Sequence, residues 1–414
     1  MSNLKNFVAY ALTYAKPAEL FKRLLETILG YIIYPIAYLF PRSQEKWVFG
    51  TNVGFTDNAK YLYLYTLEKA EIRAIWITNK TDILQMMRDM HLEVYHKWSI
   101  LGLWHCLTAG KYIFTNHTND IHFFTVGIAK KVELWHGVGI KGGDSGTEGM
   151  KRDEAIKSTI NKIVAPHNYE SFDLFLSTGP LMNEHFTKIF NLGDGVLFDN
   201  SYPRCNFLQQ DINKIEKHIR QYEPATTQQL IERLKQYKRV YLYMPTWRSD
   251  MKDTFLKEAG IDFQKLNQTM KNTNSLFLLK LHPAVRHYAD YSDFDSLLFL
   301  PTNMDIYPIL PYTSVLITDY SSIYYDYILM PKKEVILFPF DYDQYIKTSK
   351  SLAFNFDSFT PGVRANTFDE LHNIIITNRA LAFPQREEII KLFWGDDYKR
   401  KADNSILYNK IKEL

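Results

Sequence analysis

The chain is predicted to be an α/β protein of two doubly wound domains that face one another across a cleft. Three observations lead there. From Lys46 onward short apolar runs alternate with helical stretches, the alternation restarts at Arg239, and polar clusters follow directly on apolar runs. Strand–helix alternation at this spacing builds parallel sheets with helices on both faces, and such sheets bind ligands beyond the carboxyl ends of their strands. A length of 414 residues accommodates two to three domains.

In the first half, strands are expected at Trp47–Gly50, Ile72–Ile77, Leu92–Tyr95, Tyr112–Thr115, Lys131–Trp135, Ile163–Ala165 and Leu174–Ser177. Helices are expected between them at Ala59–Glu68, Asp82–Met90, Ser99–Ala109 and Met182–Phe190. An amphipathic stretch from Asp211 to Tyr237, broken at Tyr222-Glu-Pro-Ala-Thr-Thr, reads as the connection between halves. The second half repeats the pattern with strands at Arg239–Tyr243, Leu276–Leu281, Leu298–Leu300, Val315–Ile317 and Val335–Phe338. The partition expected is a helical segment at 1–45, domains at 46–210 and 211–385, and a helical tail at 386–414 that crosses back onto the first domain.

The N-terminus carries two apolar runs, Phe7–Ala15 and Ile28–Phe40. The first has a weakly basic flank and no convincing cleavage site, which argues against a signal peptide. The second is interrupted by Pro35 and falls short of the roughly 20 residues that cross a bilayer. Lys16, Lys22, Arg23 and Arg42 flank it and tyrosines dot it, as in helices that lie in the headgroup layer. A peripheral contact with a membrane surface is expected, with a buried helical hairpin as the alternative. A net charge of +3 is too small to make nucleic acid the main partner. Two cysteines, Cys106 and Cys205, form no disulfide framework or zinc pattern, which suits a reducing cytoplasm.

Five polar clusters fall at strand ends: Trp135-His-Gly-Val-Gly-Ile-Lys141, Tyr202-Pro-Arg204, Tyr243-Met-Pro-Thr-Trp-Arg248, Lys280-Leu-His-Pro283 and Thr318-Asp-Tyr-Ser-Ser322. The last begins as an apolar strand, turns through two serines and continues at helical spacing to Pro331. Serine hydroxyls and free N–H groups at such a turn suit a phosphate. Together the clusters describe a pocket for a di-anionic group such as a pyrophosphate, with two histidines for proton transfer or charge neutralisation. There is no Asp-x-Asp pair, His-Glu-x-x-His, Cys cluster or Walker lysine loop, so neither a metal nor a cofactor is called for. His122, His167 and His185 lack a comparable setting and read as structural.

These motifs, in this order and spacing, resemble the CDP-glycerol glycerophosphotransferases that build teichoic acids and related polymers. The resemblance runs from about Trp47 to the C-terminus, through Phe338-Pro-Phe-Asp-Tyr-Asp343 and Pro361-Gly362. It implies a GT-B fold, with an acceptor domain first and a CDP-donor domain second. It implies transfer of glycerol phosphate from CDP-glycerol to a hydroxyl of a lipid-linked or polymeric acceptor at the cytoplasmic face of a membrane, in teichoic acid or capsule-type synthesis. His136 would be the base and His282 would stabilise charge on the phosphoryl group or the leaving CMP. Donor contacts would come from Gly137, Lys141, Arg204, Pro245, Thr246, Trp247, Arg248, Lys280, Thr318, Asp319, Ser321, Ser322 and Asp326. CDP-ribitol or another nucleotide-activated donor remains an alternative, as does a non-catalytic polymer-binding subunit.

Overall fold

The structure is a computed structural model and describes residues 17–138, 166–246, 248, 254–281, 294–348, 352–377 and 381–414. The run Phe7–Ala15, the expected strand Ile163–Ala165 and the site candidates Lys141, Trp247 and His282 lie outside the described residues.

Seven strands form the first sheet: β1 (Ser43–Phe49), β2 (Arg73–Thr78), β3 (Val94–His96), β4 (Ala109–Phe114), β5 (Lys130–Glu133), β6 (Leu174–Ser177) and β7 (Leu197–Asp199). Six form the second: β8 (Arg239–Tyr243), β9 (Ser275–Leu279), β10 (Leu297–Phe299), β11 (Val315–Thr318), β12 (Glu334–Leu337) and β13 (Val363–Arg364). Their orders are β3-β2-β1-β4-β5-β6-β7 and β10-β9-β8-β11-β12-β13, and every pairing is parallel. Counted from its own first strand, each sheet begins with the dinucleotide-fold order 3-2-1-4-5-6, which reverses direction between strands 1 and 4 and opens a crevice there. The central strands carry apolar residues on both faces, as strands covered by helices on either side must. All four residues of β11 and the Trp47-Val-Phe run of β1 are buried. The edge strands β7 and β13, of 3 and 2 residues, are too short to leave a periodic signal in sequence.

The helix Asp57–Lys69 sits where the two sheets meet. Residues Asn58 to Leu64 are all buried, so it lacks the polar face that would mark it as a surface helix. Lys60, 1% exposed, places its ammonium 2.6 Å from Glu223 of the connecting segment and 2.7 Å from Asp305 of the second unit. The Tyr61 hydroxyl donates to the same Asp305 oxygen at 3.0 Å. Burial works against the Lys60 charge, but Asp305 and Glu223 outweigh it and hold the amine above its ordinary value. The C-terminal helices return to the first unit. Tyr408 of the helix Asn404–Glu413 packs its ring 5.3 Å from that of Trp47, and Thr178 donates to the Phe393 carbonyl at 2.6 Å.

The helix Pro17–Ala37 lies over the short turns at 118–125, with the Tyr34 ring stacked on Phe123 at 5.4 Å. Arg42 holds its end by donating to the Ala37, Thr125 and Cys106 carbonyls. The opposite face, with Ile28, Ile32 and Ile36, and Leu39 just past the helix, is exposed; the Phe40 ring lies 6.1 Å from that of Trp104, which is exposed with Ile100 and Leu101 on the helix Ile100–Thr108. No helix among the described residues is long and apolar enough to cross a membrane.

Removing one member of a buried ion cluster strands the others, typically at a cost of about 3–5 kcal/mol. Lys60→Met is therefore expected to lower unfolding stability by about that amount, measured by urea denaturation; a change below about 1 kcal/mol would show that Glu223 and Asp305 do not need the ammonium.

Candidate functional site

The carboxyl ends of both sheets meet at one buried arginine. Arg204 opens a short helix, Pro203–Leu208, whose first position is a proline preset for helical geometry. Its Nη1 lies 2.5 Å from Asp57 at the end of the β1 loop. Nη2 lies 2.7 Å from Asp326 of the second unit and donates to the His136 carbonyl at 3.0 Å. Asp326 is fully buried and also accepts from the Tyr307 hydroxyl at 2.5 Å. Burial opposes the guanidinium charge, but Asp326 and Asp57 outweigh it and hold Arg204 well above its ordinary value. The residue therefore stays cationic and joins the two units.

His136 follows β5 on an exposed turn, with Nδ1 3.0 Å from the Thr115 carbonyl oxygen. Only a protonated Nδ1 makes that contact a hydrogen bond, so in the neutral ring Nε2 carries the lone pair. Gly137 stands at φ +146°. A Cβ there would lie 2.9 Å from the Ser322 hydroxyl oxygen and 3.2 Å from Arg204 Nη2. Glycine is thus required twice, by its backbone angle and by close approach of the two units. His136, Gly137, Arg204, Ser322 and Asp326 are thereby brought together, although they come from both halves of the chain.

Ser321 and Ser322 are half-buried at the end of β11, before the helix Ile323–Tyr327. That helix is shorter than the run to Pro331 suggested; Leu329 and Met330 continue in tight turns. Asp319 points its carboxylate back into the turn, accepting from the Thr246 and Tyr320 amides at 2.8 and 2.6 Å. Arg248 is buried and grips Asp341 through Nε and Nη2 at 2.6 and 2.7 Å, while Nη1 lies 2.7 Å from Asp319 and donates to the Thr246 carbonyl. With each of its three nitrogens engaged in this way, Arg248 acts on its surroundings through the turns it holds. Thr318 likewise donates to the Met244 carbonyl at 2.7 Å, and Pro245 is half-buried beside it. The Thr246 hydroxyl is buried without a partner among the described residues.

Lys280 follows β9 and donates to the Thr302 carbonyl at 2.9 Å. It lines a cavity of about 230 Å³ between the units, together with Lys80, Asp57 and Arg204 from one side and the Thr302–Tyr307 loop from the other. Burial lowers its amine to about 8. Asp57, Asn58, Asp305 and Tyr307 were not singled out in the sequence reading. They obey the same strand-end rule, Asp57 and Asn58 after β1 and Asp305 and Tyr307 after β10, but the residues that bring them to the site, Arg204 and Lys60, come from distant parts of the chain.

Comparisons with known proteins give the family and the fold. Residues 32–392 match the family model of CDP-glycerol:poly(glycerophosphate) glycerophosphotransferase. The chain belongs to that family. It is 26% identical over 406 residues to a teichoic acid poly(ribitol-phosphate) polymerase of Bacillus spizizenii, covering 95% of this chain and 60% of the relative. It is 24% identical over 389 residues to a teichoic acid poly(glycerol phosphate) polymerase of the same organism, covering 90% and 93%. To the poly(glycerol phosphate) polymerase of Bacillus subtilis it is 26% identical over 392 residues, spanning 92% of this chain and 48% of that one. The solved structure of the wall teichoic acid polymerase TagF superposes with a TM-score of 0.69 at 19% identity, covering 96% of this chain and 99% of that chain. The fold is GT-B.

If the Lys280 ammonium draws an anionic donor into the cavity, its charge is present below pH 8 and lost as pH rises through that value. The kcat/KM for the donor is expected to fall above about pH 8, and Lys280→Arg, which stays charged, to remove that alkaline limb. A limb that persists unchanged in Lys280→Arg would assign it to another group.

Proposed function

We propose that this chain transfers glycerol phosphate from CDP-glycerol to a hydroxyl of a lipid-linked or growing polymer acceptor and releases CMP, in teichoic acid or capsule-type synthesis. The observation that carries the reading is His136 beside Gly137, held at the contact of both units, with its lone pair assigned to Nε2 by the Thr115 hydrogen bond. In this reading Nε2 takes the acceptor's hydroxyl proton while the hydroxyl oxygen attacks the phosphorus that bears the glycerol. The P–O bond to CMP breaks and the bond to the acceptor forms. The Ser321 and Ser322 hydroxyls and the Lys280 ammonium bind the non-bridging oxygens, and Arg204 keeps the two units in register around them. Arg248 acts indirectly, through Asp319 and the Thr246 turn. His282, Lys141 and Trp247 keep the donor-side roles that the family resemblance implies. The family, and a variant of TagF soaked with CDPG, support the donor class.

CDP-ribitol is the second reading, since the 26% identity to a poly(ribitol-phosphate) polymerase equals that to the poly(glycerol phosphate) polymerase of Bacillus subtilis. The residues named here grip phosphate and would serve either polyol.

The exposed apolar face of Pro17–Ala37 with Leu39, Ile100, Leu101 and Trp104 is taken to rest on the cytoplasmic face of the membrane, where a lipid-linked acceptor is found. Two outcomes are expected. CMP release from CDP-glycerol, with CDP-ribitol in parallel, should fall by about 10²–10⁴-fold in His136→Ala; undiminished turnover would remove His136 from the reaction. Ile32→Ser with Leu39→Ser and Trp104→Ser should weaken co-sedimentation with anionic liposomes while leaving CMP release with a detergent-solubilised acceptor intact. Unchanged co-sedimentation would assign membrane contact elsewhere.

A further inference from the structure

Directly behind His136 lie two buried carboxyls that the mechanism above does not use. Glu133 is the last residue of β5, and its side chain is fully buried. A carboxyl in that position is costly to bury unless it is hydrogen-bonded, since its register partners on the flanking strands are Phe114 and Phe175. Its Oε1 accepts the amide N–H of Trp135 at 2.7 Å. Trp135 is held at φ +53°, an angle rarely adopted outside glycine and costly for a bulky residue. The Trp135 carbonyl is held as well, accepting from Asn58 Nδ2 at 2.8 Å. With its backbone gripped from both sides, the Trp135 ring packs against the His136 imidazole at a centroid distance of 4.0 Å. Asp120 supports the other side of the imidazole: its Oδ2 accepts the Thr115 amide at 3.3 Å, and Thr115 is the residue whose carbonyl receives His136 Nδ1–H.

We propose that Glu133 is a positioning residue for His136: by accepting the Trp135 amide it maintains the left-handed turn that sets the imidazole against the Thr115 carbonyl and keeps its lone pair on Nε2. The inference rests on the assignment of His136 as base, but its geometry does not. Burial, with Asp120 beside it, pushes the Glu133 carboxyl well up; because the contact needs only an acceptor oxygen, glutamine, which retains one, reproduces its function and alanine does not.

The test combines kinetics with nitrogen NMR of the histidines in the full chain, the His136 signal being identified by its loss in His136→Gln. In the wild type and in Glu133→Gln, His136 is expected as the Nδ1–H tautomer, with kcat within about twofold. In Glu133→Ala the tautomers should mix, kcat should fall about tenfold or more, and the donor KM should stay within about twofold. A wild-type tautomer in Glu133→Ala overturns the proposal. So does an equal loss in Glu133→Gln and Glu133→Ala, since the acceptor oxygen would then not be what matters. Mixed tautomers at undiminished kcat uphold the positioning and instead remove His136 from the chemistry.

Discussion

The Arg204 guanidinium is the contact on which the rest of the cleft depends. It is buried, holds Asp57 of one unit and Asp326 of the other, and caps the His136 carbonyl. An ion triad with two carboxylates and one cation leaves a surplus negative charge in a low-dielectric place, which is unfavourable unless hydrogen bonds absorb it. Here they do: the Asn58 amide donates to Asp57 at 2.7 Å and the Tyr307 hydroxyl to Asp326. Arginine suits the position because its planar fork reaches three acceptors at fixed angles, which a lysine ammonium on a flexible stem does not.

A second set of buried charges supports the first. Lys60, Glu223 and Asp305 join the connecting segment to both units one helical turn from Asp57. Within the second unit, Arg248 ties Asp319 to Asp341 and so binds the turns after β8, β11 and β12 into one rigid edge. The interface between units is therefore polar at its centre but flanked by a continuous apolar core that runs from Trp47 to Tyr325. Charges set the orientation of the two units, since a shifted docking would leave them unpaired, while the apolar packing supplies the bulk of the burial.

Much of the site was legible before the structure. The strand-end rule located His136, Gly137, Arg204, Lys280, Ser321 and Ser322, because each follows an apolar run and parallel sheets present their ligands at that edge. Division of labour within the clusters was not legible. Arg248 and Asp319 read alike with Arg204 and Ser321, yet they are bound to one another. Asp57, Tyr307 and Glu133 went unnoticed because their partners lie across the fold, with Arg204 and Asp326 separated by 122 positions in the chain. A pattern search along the sequence sees spacing and not such contacts.

Alternation of apolar runs with helical stretches determined the two doubly wound halves by itself, since the period of side-chain burial decides strand or helix locally and the alternation permits only a parallel sheet. The family motifs, local strings of three to seven residues at a few turns, were likewise readable one by one. What the tertiary structure alone decided was which of the charged residues face each other: the Arg204 bridge, the Lys60 cluster, the left-handed Trp135 turn over Glu133, and the meeting of Phe40 with Trp104 beside the exposed apolar residues. Electrostatic pairing and exposure depend on distance in space, and that distance is set only when both sheets have docked.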